Sequence, residues 1–435
     1  GFGMETMQGK ALPRSERLHA QMLEIYRGNL EEMVVRARRA GADVILCTPV
    51  ANLRDQSPLG SANRPGLPPA ELAAWKRAFD EGRAAMAAGR RAEAAVALAE
   101  AVRHDSSHAE TRFRLARCLD PGRGGGVPGG TSEVTGAGGN GAFDGSGRSG
   151  GSGGSGAAGG SAGSASHELE AARREYRAAL DEDPVHFRAC SDQNRIVREM
   201  AAAHAGEHLL LVDLERRLAD AAPDGIPGRE FLTEHVHPTL LGNAALAEWI
   251  ARDFEASPLG RRLGSADLTR LRPAAEYMGR LGLSAIDEAT GLLLTLKEKL
   301  SKWPYTQAHE NAEAVAYLRG QIRELTRSFD PIEAQVFAET EAGRFNDGYD
   351  YGLRHQEVGR RALLARQGAL AIREYKRCDR YWGPVAELKA NLAQAYLFHQ
   401  ELAPVDSLLD VAAGLDPKLA RVQFLRGMLR QAQGR

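Results

Sequence analysis

A period of 34 residues near the C-terminal end of the chain is the feature that most constrains its fold. Small residues recur at this interval at Gly359, Ala393 and Gly427. The pairs that repeat in step with them are Ala371 and Val405, Tyr375 and Leu409, and Cys378 and Ala412. A fixed period of this length is typical of helical repeats, which bury their apolar faces only by stacking on their neighbours. The sequence therefore predicts a helical solenoid in this region.

The same spacing occurs earlier, in an Ala-rich segment over residues 71–119. The residues that define it are Gly82, Ala94, Leu98 and Ala101. Their intervals resemble those of the tetratricopeptide repeat, in which small residues allow two helices to approach closely. The next repeat begins at about Ala109, and its Ala116 lies one period after Gly82. Residues 265–345 are also predicted to be helical, but they show no register.

Residues 121–166 are mostly Gly, Ser and Ala, a composition that cannot bury enough apolar surface to fold. The repeat pattern resumes after this tract, at Ala172, Tyr176, Ala179 and Pro184. Each flank supplies one half of the same repeat, which favours a disordered insertion between its two helices. Such an insertion costs little because loop-closure entropy grows only logarithmically with length. A linker between two domains is the alternative.

Outside the repeats, two short apolar runs have the pattern of buried parallel strands. The first, Val44 to Val50, follows an amphipathic helix over residues 21–40 and a helix-terminating Gly41. The second extends from His208 to Leu214. We expect the two runs to pair as parallel neighbours and to leave an exposed sheet edge. An entirely helical repeat protein is the alternative, and parallel pairing of these runs would exclude it.

These patterns predict an α/β core combined with all-α repeats. The predicted parts are the first part of the core at 1–66, a repeat insert at 67–185, the second part of the core at 186–258, and C-terminal repeats at 259–435. The first residues, GFGMETMQGK, have none of the features of a signal peptide. We therefore expect further residues to precede Gly1, and the sequence assigns no compartment.

The candidate for chemistry is Glu234 with His237, in a loop before a predicted helix. A carboxylate three residues before a histidine can accept the Nδ1 proton and leave Nε2 able to take a proton from a nucleophile. The same spacing also occurs at Asp105 with His108 and at Asp183 with His186. Those two pairs lie in predicted turns between repeats, whereas the Glu234 pair follows a buried strand. Catalytic groups of open α/β sheets collect beyond strand ends of this kind.

Two blocks around these elements resemble the SGNH/GDSL hydrolases. FLTEHVHPTLLGNAALAEWI is similar to the last block of the family, in which an acidic residue and the catalytic His precede a helix. RGNLEEMVVRARRAGADVILCTPVANLRD resembles a helix and strand of a subgroup that carries tetratricopeptide repeats between this strand and the His block. The resemblance covers residues 21–255 and implies a flavodoxin-like three-layer α/β core, with His237 as general base and Glu234, in place of the usual Asp, as its partner. It also implies a nucleophilic Ser and oxyanion-hole Gly and Asn in blocks that would precede Gly1.

Each of these candidate site residues also has an alternative interpretation. His237 is alternatively a loop histidine, His235 is alternatively the functional one, and a zinc site on both would need a third ligand that the sequence does not nominate. Asp213, which closes the second apolar run, is better explained as a helix cap than as a catalytic acid. Asn52 and Arg54, like the neighbouring Asp55, follow the first run and are candidates for substrate binding or for turn and capping roles.

Composition narrows the choice of function. The net charge is −1 and no basic cluster is interleaved with aromatic residues, so we expect no nucleic-acid partner. No uncharged apolar run reaches the ~18 residues of a membrane span. The cysteines, Cys47, Cys118, Cys190 and Cys378, form no CxxC pair, and we predict neither a disulfide, a metal nor a cofactor. The family resemblance implies a serine ester hydrolase or acyl transferase acting on an ester-containing substrate, and the repeats predict a protein or peptide partner in their groove. The alternative is a non-catalytic repeat scaffold with a degenerate hydrolase domain.

Overall fold

The structure is a computed structural model that describes residues 15–123, 161–264, 268–272, 274–345 and 350–434. The chain forms two compact units. Unit 1 comprises Gly1–Pro273 and Leu300–Ala314, and unit 2 comprises Ala274–Lys299 and Val315–Arg435. The four-part division made from the sequence stays a prediction, because compactness alone does not separate a core from its inserts.

Unit 1 contains the two strands and the first helices. The strands are β1 (Val44–Cys47) and β2 (Leu209–Val212). The helices are α1 (Glu16–Arg39), α2 (Pro69–Ala87), α3 (Arg91–His104), α4 (Ala109–Leu119), α5 (Ser161–Asp181), α6 (Ser191–Ala203), α7 (Leu214–Ala221), α8 (Leu240–Ala256) and α9 (Pro258–Leu263). Short 3-10 turns occupy Pro121–Arg123, Pro223–Gly225, Leu268–Arg270 and Tyr305–Gln307.

The two strands pair in parallel, with Val44 opposite Leu209 and Cys47 opposite Val212. This pairing confirms the prediction of parallel neighbours, and the entirely helical alternative is therefore wrong. Helices α1 and α6 pack on the sheet through a common apolar cluster, which includes Leu30, Val34, Leu46, Ile196, Met200 and Leu209. Both strands are shorter than predicted, because the Thr48 hydroxyl bonds the Asp213 carboxylate at 3.0 Å and Pro49 follows directly.

The repeat-like segments of unit 1 form helical hairpins. Helices α2 and α3 approach so closely at Gly82 that a Cβ there would lie 2.6 Å from Cγ of Leu98. Helices α4 and α5 share an apolar cluster through Phe113, Ala116, Ala172 and Tyr176. The two flanks of the Gly/Ser-rich tract therefore pack on each other, as the insertion interpretation requires. Residues 124–160, the main part of that tract, lie outside the described residues, whereas 161–166 belong to α5.

Unit 2 is a series of helices. They are α10 (Ala274–Leu281), α11 (Ala285–Thr295), the main part of α12 (Asn311–Thr326), α13 (Pro331–Glu341), α14 (Tyr351–Leu364), α15 (Gly368–Trp382), α16 (Ala386–Phe398), α17 (Val405–Leu415) and α18 (Ala420–Ala432). A π-helical turn, Leu296–Leu300, follows α11. The six residues that repeat in step at the 34-residue period are all buried in the core of this unit. The periodic pattern therefore marks packing positions.

Three of the four cysteines are buried, Cys47 is half-buried, and all four are free thiols. Burial raises the pKa of the Cys378 thiol to about 12, which removes its reactivity at neutral pH. None of the helices in the described part of the chain combines the length and apolarity needed to cross a lipid bilayer.

Candidate functional site

A tight loop presents the predicted catalytic residues just before α8. Residues Leu232 and Pro238 form an isolated antiparallel bridge, and the Thr233 N–H donates to the His237 carbonyl at 2.8 Å. Phe231 and Leu232 are buried against Leu218 of α7 and anchor this loop to the core. The segment Thr233–His237 is thus held as a closed loop on a packed base.

The start of α8 fixes the far end of the loop. The Thr239 hydroxyl accepts a hydrogen bond from the Gly242 N–H at 2.9 Å and caps the helix. Gly242 lies directly under the loop, where a Cβ would come within 2.0 Å of the Phe231 carbonyl oxygen. Only glycine fits at this position, so the sequence TLLGN sets the distance between loop and helix.

Glu234 occupies the centre of the loop and is 4% exposed. Its Oε2 accepts from the His235 backbone N–H at 2.8 Å, and its Oε1 accepts from the His237 backbone N–H at 3.1 Å. The same two oxygens also contact Nδ1 of His235 and Nδ1 of His237, respectively. One carboxylate therefore orients both imidazole rings, and its charge is compensated by four N–H groups.

The two histidines differ in accessibility. The His237 side chain is 58% exposed, whereas the His235 side chain is 8% exposed. Because Nδ1 of His237 faces a carboxylate, its neutral ring carries the proton on Nδ1, and Nε2 is the unprotonated nitrogen. This arrangement suits a general base at His237 and a structural role at His235.

Glu234, His235 and His237 also form a group whose ligand atoms lie within 4.8 Å of one another in the described part of the chain. Glu234 is thus the third metal-capable side chain that the sequence did not nominate. Its two oxygens, however, already accept the backbone N–H groups of the loop. The geometry favours an oriented pair over a metal centre.

The predicted substrate-binding residues are placed close to the loop but are used in local contacts. Asn52 is 1% exposed, and its Oδ1 accepts from the Asp55 N–H at 2.9 Å in a turn. Its own N–H donates to the His235 carbonyl at 2.9 Å, which joins the segment after β1 to the His loop. The Arg54 guanidinium pairs with Asp120 and Asp224, each at 2.9 Å. A substrate role for Asn52 and Arg54 stays a prediction.

The other acidic residues that the sequence singled out bind main-chain or Arg groups. Asp213 is the N-cap of α7, as predicted, and hydrogen bonds from Arg198 hold the pKa of its carboxyl low. Asp105 accepts from the Arg64 N–H at 3.0 Å and the Ser107 N–H at 3.0 Å. Asp183 accepts from the Leu59 N–H at 2.8 Å and also pairs with an Arg side chain. These contacts explain Asp105 and Asp183 as turn residues.

Tyr305 is a site residue that sequence reasoning missed. It belongs to residues 300–314, the second segment of unit 1, and its hydroxyl lies 2.7 Å from Nδ1 of His235. The signal was the aromatic cluster in SKWPYTQAH, an apolar interruption of a polar stretch. Without a repeat register in this region, nothing connected the cluster to the His loop.

No protein-family model, curated protein or solved structure matches this chain. The function must therefore be argued from the residues and their geometry.

Proposed function

We propose that this chain carries the general-base part of a serine ester hydrolase or acyl transferase site of the SGNH type. The observation that supports it is the contact of the buried Glu234 carboxylate with Nδ1 of the exposed His237. An oriented imidazole with an accessible Nε2 is the group that deprotonates a serine hydroxyl and later protonates the leaving group. Acyl transfer by this route also requires a serine nucleophile and oxyanion-hole donors.

The surroundings of the loop support an α/β hydrolase core. The segment after β1 and the His loop meet through the Asn52 and His235 main chain, beyond the carboxyl ends of two parallel strands. This is where open α/β sheets bind their ligands. Ile25 and Met33 of α1 are 64% and 61% exposed, and Ile45 of β1 is 42% exposed. These exposed apolar side chains are consistent with a three-layer core in which further strands and helices cover them.

The helical hairpins are proposed to be tetratricopeptide-like repeats that bind a protein or peptide partner in their groove. The close approach at Gly82 recurs at Gly359, where a Cβ would lie 3.0 Å from Cε1 of Tyr375. Gly427, two periods after Gly359, has open space around it, and no later helix in the described residues follows α18. Equivalent positions thus have equivalent packing wherever a following helix is present.

A non-catalytic scaffold is the second candidate. Local contacts of the two predicted substrate-binding residues favour it. The Asn52 side chain closes a turn, and the Arg54 side chain forms ion pairs. In that case the repeats would do the work, and the His loop would be a relic of a hydrolase.

Substitution of His237 in the protein expressed from the complete gene separates the two candidates. His237→Ala is expected to reduce hydrolysis of p-nitrophenyl acetate by about 10²–10⁴-fold, the usual contribution of a general base. His208→Ala is the matched control, because His208 is another exposed histidine of unit 1, 2.9 Å from the Asp43 carboxylate. Full activity of the His237→Ala protein would exclude the hydrolase proposal, as would an inactive wild-type protein that a fluorophosphonate fails to label.

A further inference from the structure

The segment 300–314 packs over the buried side of the His loop. Trp303, Tyr305 and Ala308 are 8%, 1% and 7% exposed. The Trp303 ring meets Phe187 edge to face, with centroids 6.5 Å apart, and Phe187 in turn lies 6.4 Å from the His235 ring. The segment therefore adds an aromatic layer behind the imidazole that the solvent does not reach.

Ion pairs hold this segment to the rest of unit 1. Glu313 lies 3.2 Å from the Arg117 guanidinium and 3.5 Å from the Arg229 guanidinium, and Glu310 also pairs with Arg117. The Asn311 amide donates to the Leu300 carbonyl at 2.8 Å and closes the segment on itself. Tyr305 thus has a fixed place, which a loosely attached segment would not give it.

The Tyr305 hydroxyl is placed between His235 and Glu234. It lies 2.7 Å from Nδ1 of His235 and 3.3 Å from Oε2 of Glu234. His235 donates from Nδ1 to the carboxylate, so the phenol proton is directed at Oε2. Burial raises the pKa of Tyr305, and the phenol therefore remains a donor throughout the neutral range. The nearby Arg188 guanidinium is the other charged group that faces it.

We infer that Tyr305, together with His235, is a positioning residue that holds Oε2 of Glu234 so that Oε1 stays on Nδ1 of His237. The backbone N–H and the ring of His235 already contact Oε2, and the phenol adds a further donor to the same oxygen. Each added donor on Oε2 further restricts rotation of the carboxylate about its last bond, which keeps Oε1 on Nδ1 of His237 and the ring in the tautomer with Nε2 unprotonated. The inference rests on the proposed function for its catalytic meaning, but the positioning itself is measurable in this chain.

The first test is NMR of the ¹⁵N-histidine-labelled chain, in which the shifts of the two ring nitrogens give the tautomer ratio of His237. Tyr305→Phe is expected to lower the ratio of the Nδ1–H to the Nε2–H form severalfold, consistent with the loss of one hydrogen bond. Tyr176→Phe is the matched control, because Tyr176 is 1% exposed and lies 3.2 Å from the Asp120 carboxylate elsewhere in unit 1. It should leave the ratio unchanged.

His235→Gln gives a second test that does not depend on the folding of the Tyr305 variant. It removes the imidazole donor on Oε2 while Tyr305 stays in place, and it should change the tautomer ratio of His237 in the same direction. An unchanged ratio in both variants would overturn the inference, whatever the role of His237.

Turnover of the protein expressed from the complete gene distinguishes failure of the inference from failure of the proposed function. Tyr305→Phe is expected to lower kcat about tenfold with KM unchanged, since one hydrogen bond is lost without a substrate contact. If His237→Ala abolishes turnover but Tyr305→Phe changes neither kcat nor the tautomer ratio, the hydrolase stands and the positioning role is wrong. If His237→Ala keeps full activity while the tautomer ratio still responds to Tyr305→Phe, positioning stands and the hydrolase is wrong.

Discussion

Histidine and carboxylate side chains meet in both units, but the group in the middle differs. In unit 1 the Glu234 carboxylate lies between two imidazoles, one of which is largely exposed. In unit 2 the His355 imidazole lies between two carboxylates, with Nδ1 2.6 Å from Glu374 and Nε2 3.0 Å from Asp287, and it is 0% exposed. Both ring nitrogens of His355 contact carboxylates, whereas the exposed His237 contacts a carboxylate through Nδ1.

The electrostatics of the unit 2 cluster make His355 a buried cation. Burial by itself would lower the pKa of His355, but hydrogen bonds to Asp287 and Glu374, together with their charges, outweigh it and raise the pKa to about 9. Arg373 and Arg377 add two further contacts to Glu374, at 2.7 and 2.6 Å. The comparison teaches that a carboxylate beside a histidine says nothing about function until the exposure of the ring is known.

The largest expected difference is in stability, tested by a matched pair of substitutions. His355→Ala removes the buried cation that Asp287 and Glu374 share and is expected to cost about 3–5 kcal/mol in the free energy of unfolding. His237→Ala removes an exposed ring and keeps its backbone N–H on Glu234, so we expect less than about 0.5 kcal/mol. Both effects can be measured by urea unfolding of the protein labelled with 5-fluorotryptophan. The NMR signal of Trp382, which lies in unit 2, reports the effect of His355→Ala, and the signals of the unit 1 tryptophans report the effect of His237→Ala.

Equal losses of unfolding free energy in His355→Ala and His237→Ala would contradict the contrast between a buried structural histidine and an exposed one. His355→Gln is a useful intermediate, because its amide can bond one carboxylate but carries no charge. If His355→Ala lowers the free energy of unfolding only slightly and His237→Ala lowers it strongly, then the cluster around His237, and not the one around His355, is the structural one.

The second expected difference is the response of unit 2 to alkaline pH. His355 has a folded-state pKa of about 9, above the value of about 6.5 for an unfolded chain. Its stabilisation is therefore complete below about pH 6.5 and is lost as the pH rises through about 9. The difference corresponds to roughly 3 kcal/mol. Unfolding of unit 2 measured at pH 6.5 and 9.5 should show this loss in the wild type and not in His355→Gln; the same slope in both would mean that another group titrates.

Much of the fold could be predicted from the sequence because the packing signals are local. The apolar run at Val44 predicted β1, Gly41 with a φ of 75° marks the turn after α1, and the six residues that repeat in step near the C-terminus are buried. The ends of the strands could not be predicted as well, because they depend on the contact of Thr48 with Asp213, which is 165 residues away.

The candidate site was predicted only in the part that the local sequence encodes. Glu234 and His237 are three residues apart, and the loop that joins them is closed by its own hydrogen bonds. Tyr305 lies 70 residues from His235, in a stretch without register, and its contact is purely tertiary. His355 was missed for the same reason, because Asp287 and Glu374 reach it from two other helices.

The smallest expected difference concerns the residues that hold each cluster in place. Ser284 donates to the Asp287 carboxylate from its N–H at 2.8 Å and from its hydroxyl at 2.7 Å. Ser284→Ala removes the hydroxyl bond and should cost unit 2 about 1 kcal/mol. Thr239→Ala, which removes the N-cap of α8 beside the His loop, should cost unit 1 a similar amount.

Ser284→Ala and Thr239→Ala are expected to differ in their effect on the pH dependence of unit 2 stability. Loss of the Ser284 hydroxyl leaves Asp287 less firmly placed beside Nε2 of His355, so the alkaline loss of stability in unit 2 should begin at lower pH. Thr239→Ala touches no group of that cluster and should leave the pH dependence of unit 2 unaltered. Urea midpoints for both variants at pH 6.5 and 9.5 provide the check. If Ser284→Ala lowers the midpoint equally at both pH values, Asp287 is held by the protein as a whole rather than by this one hydroxyl.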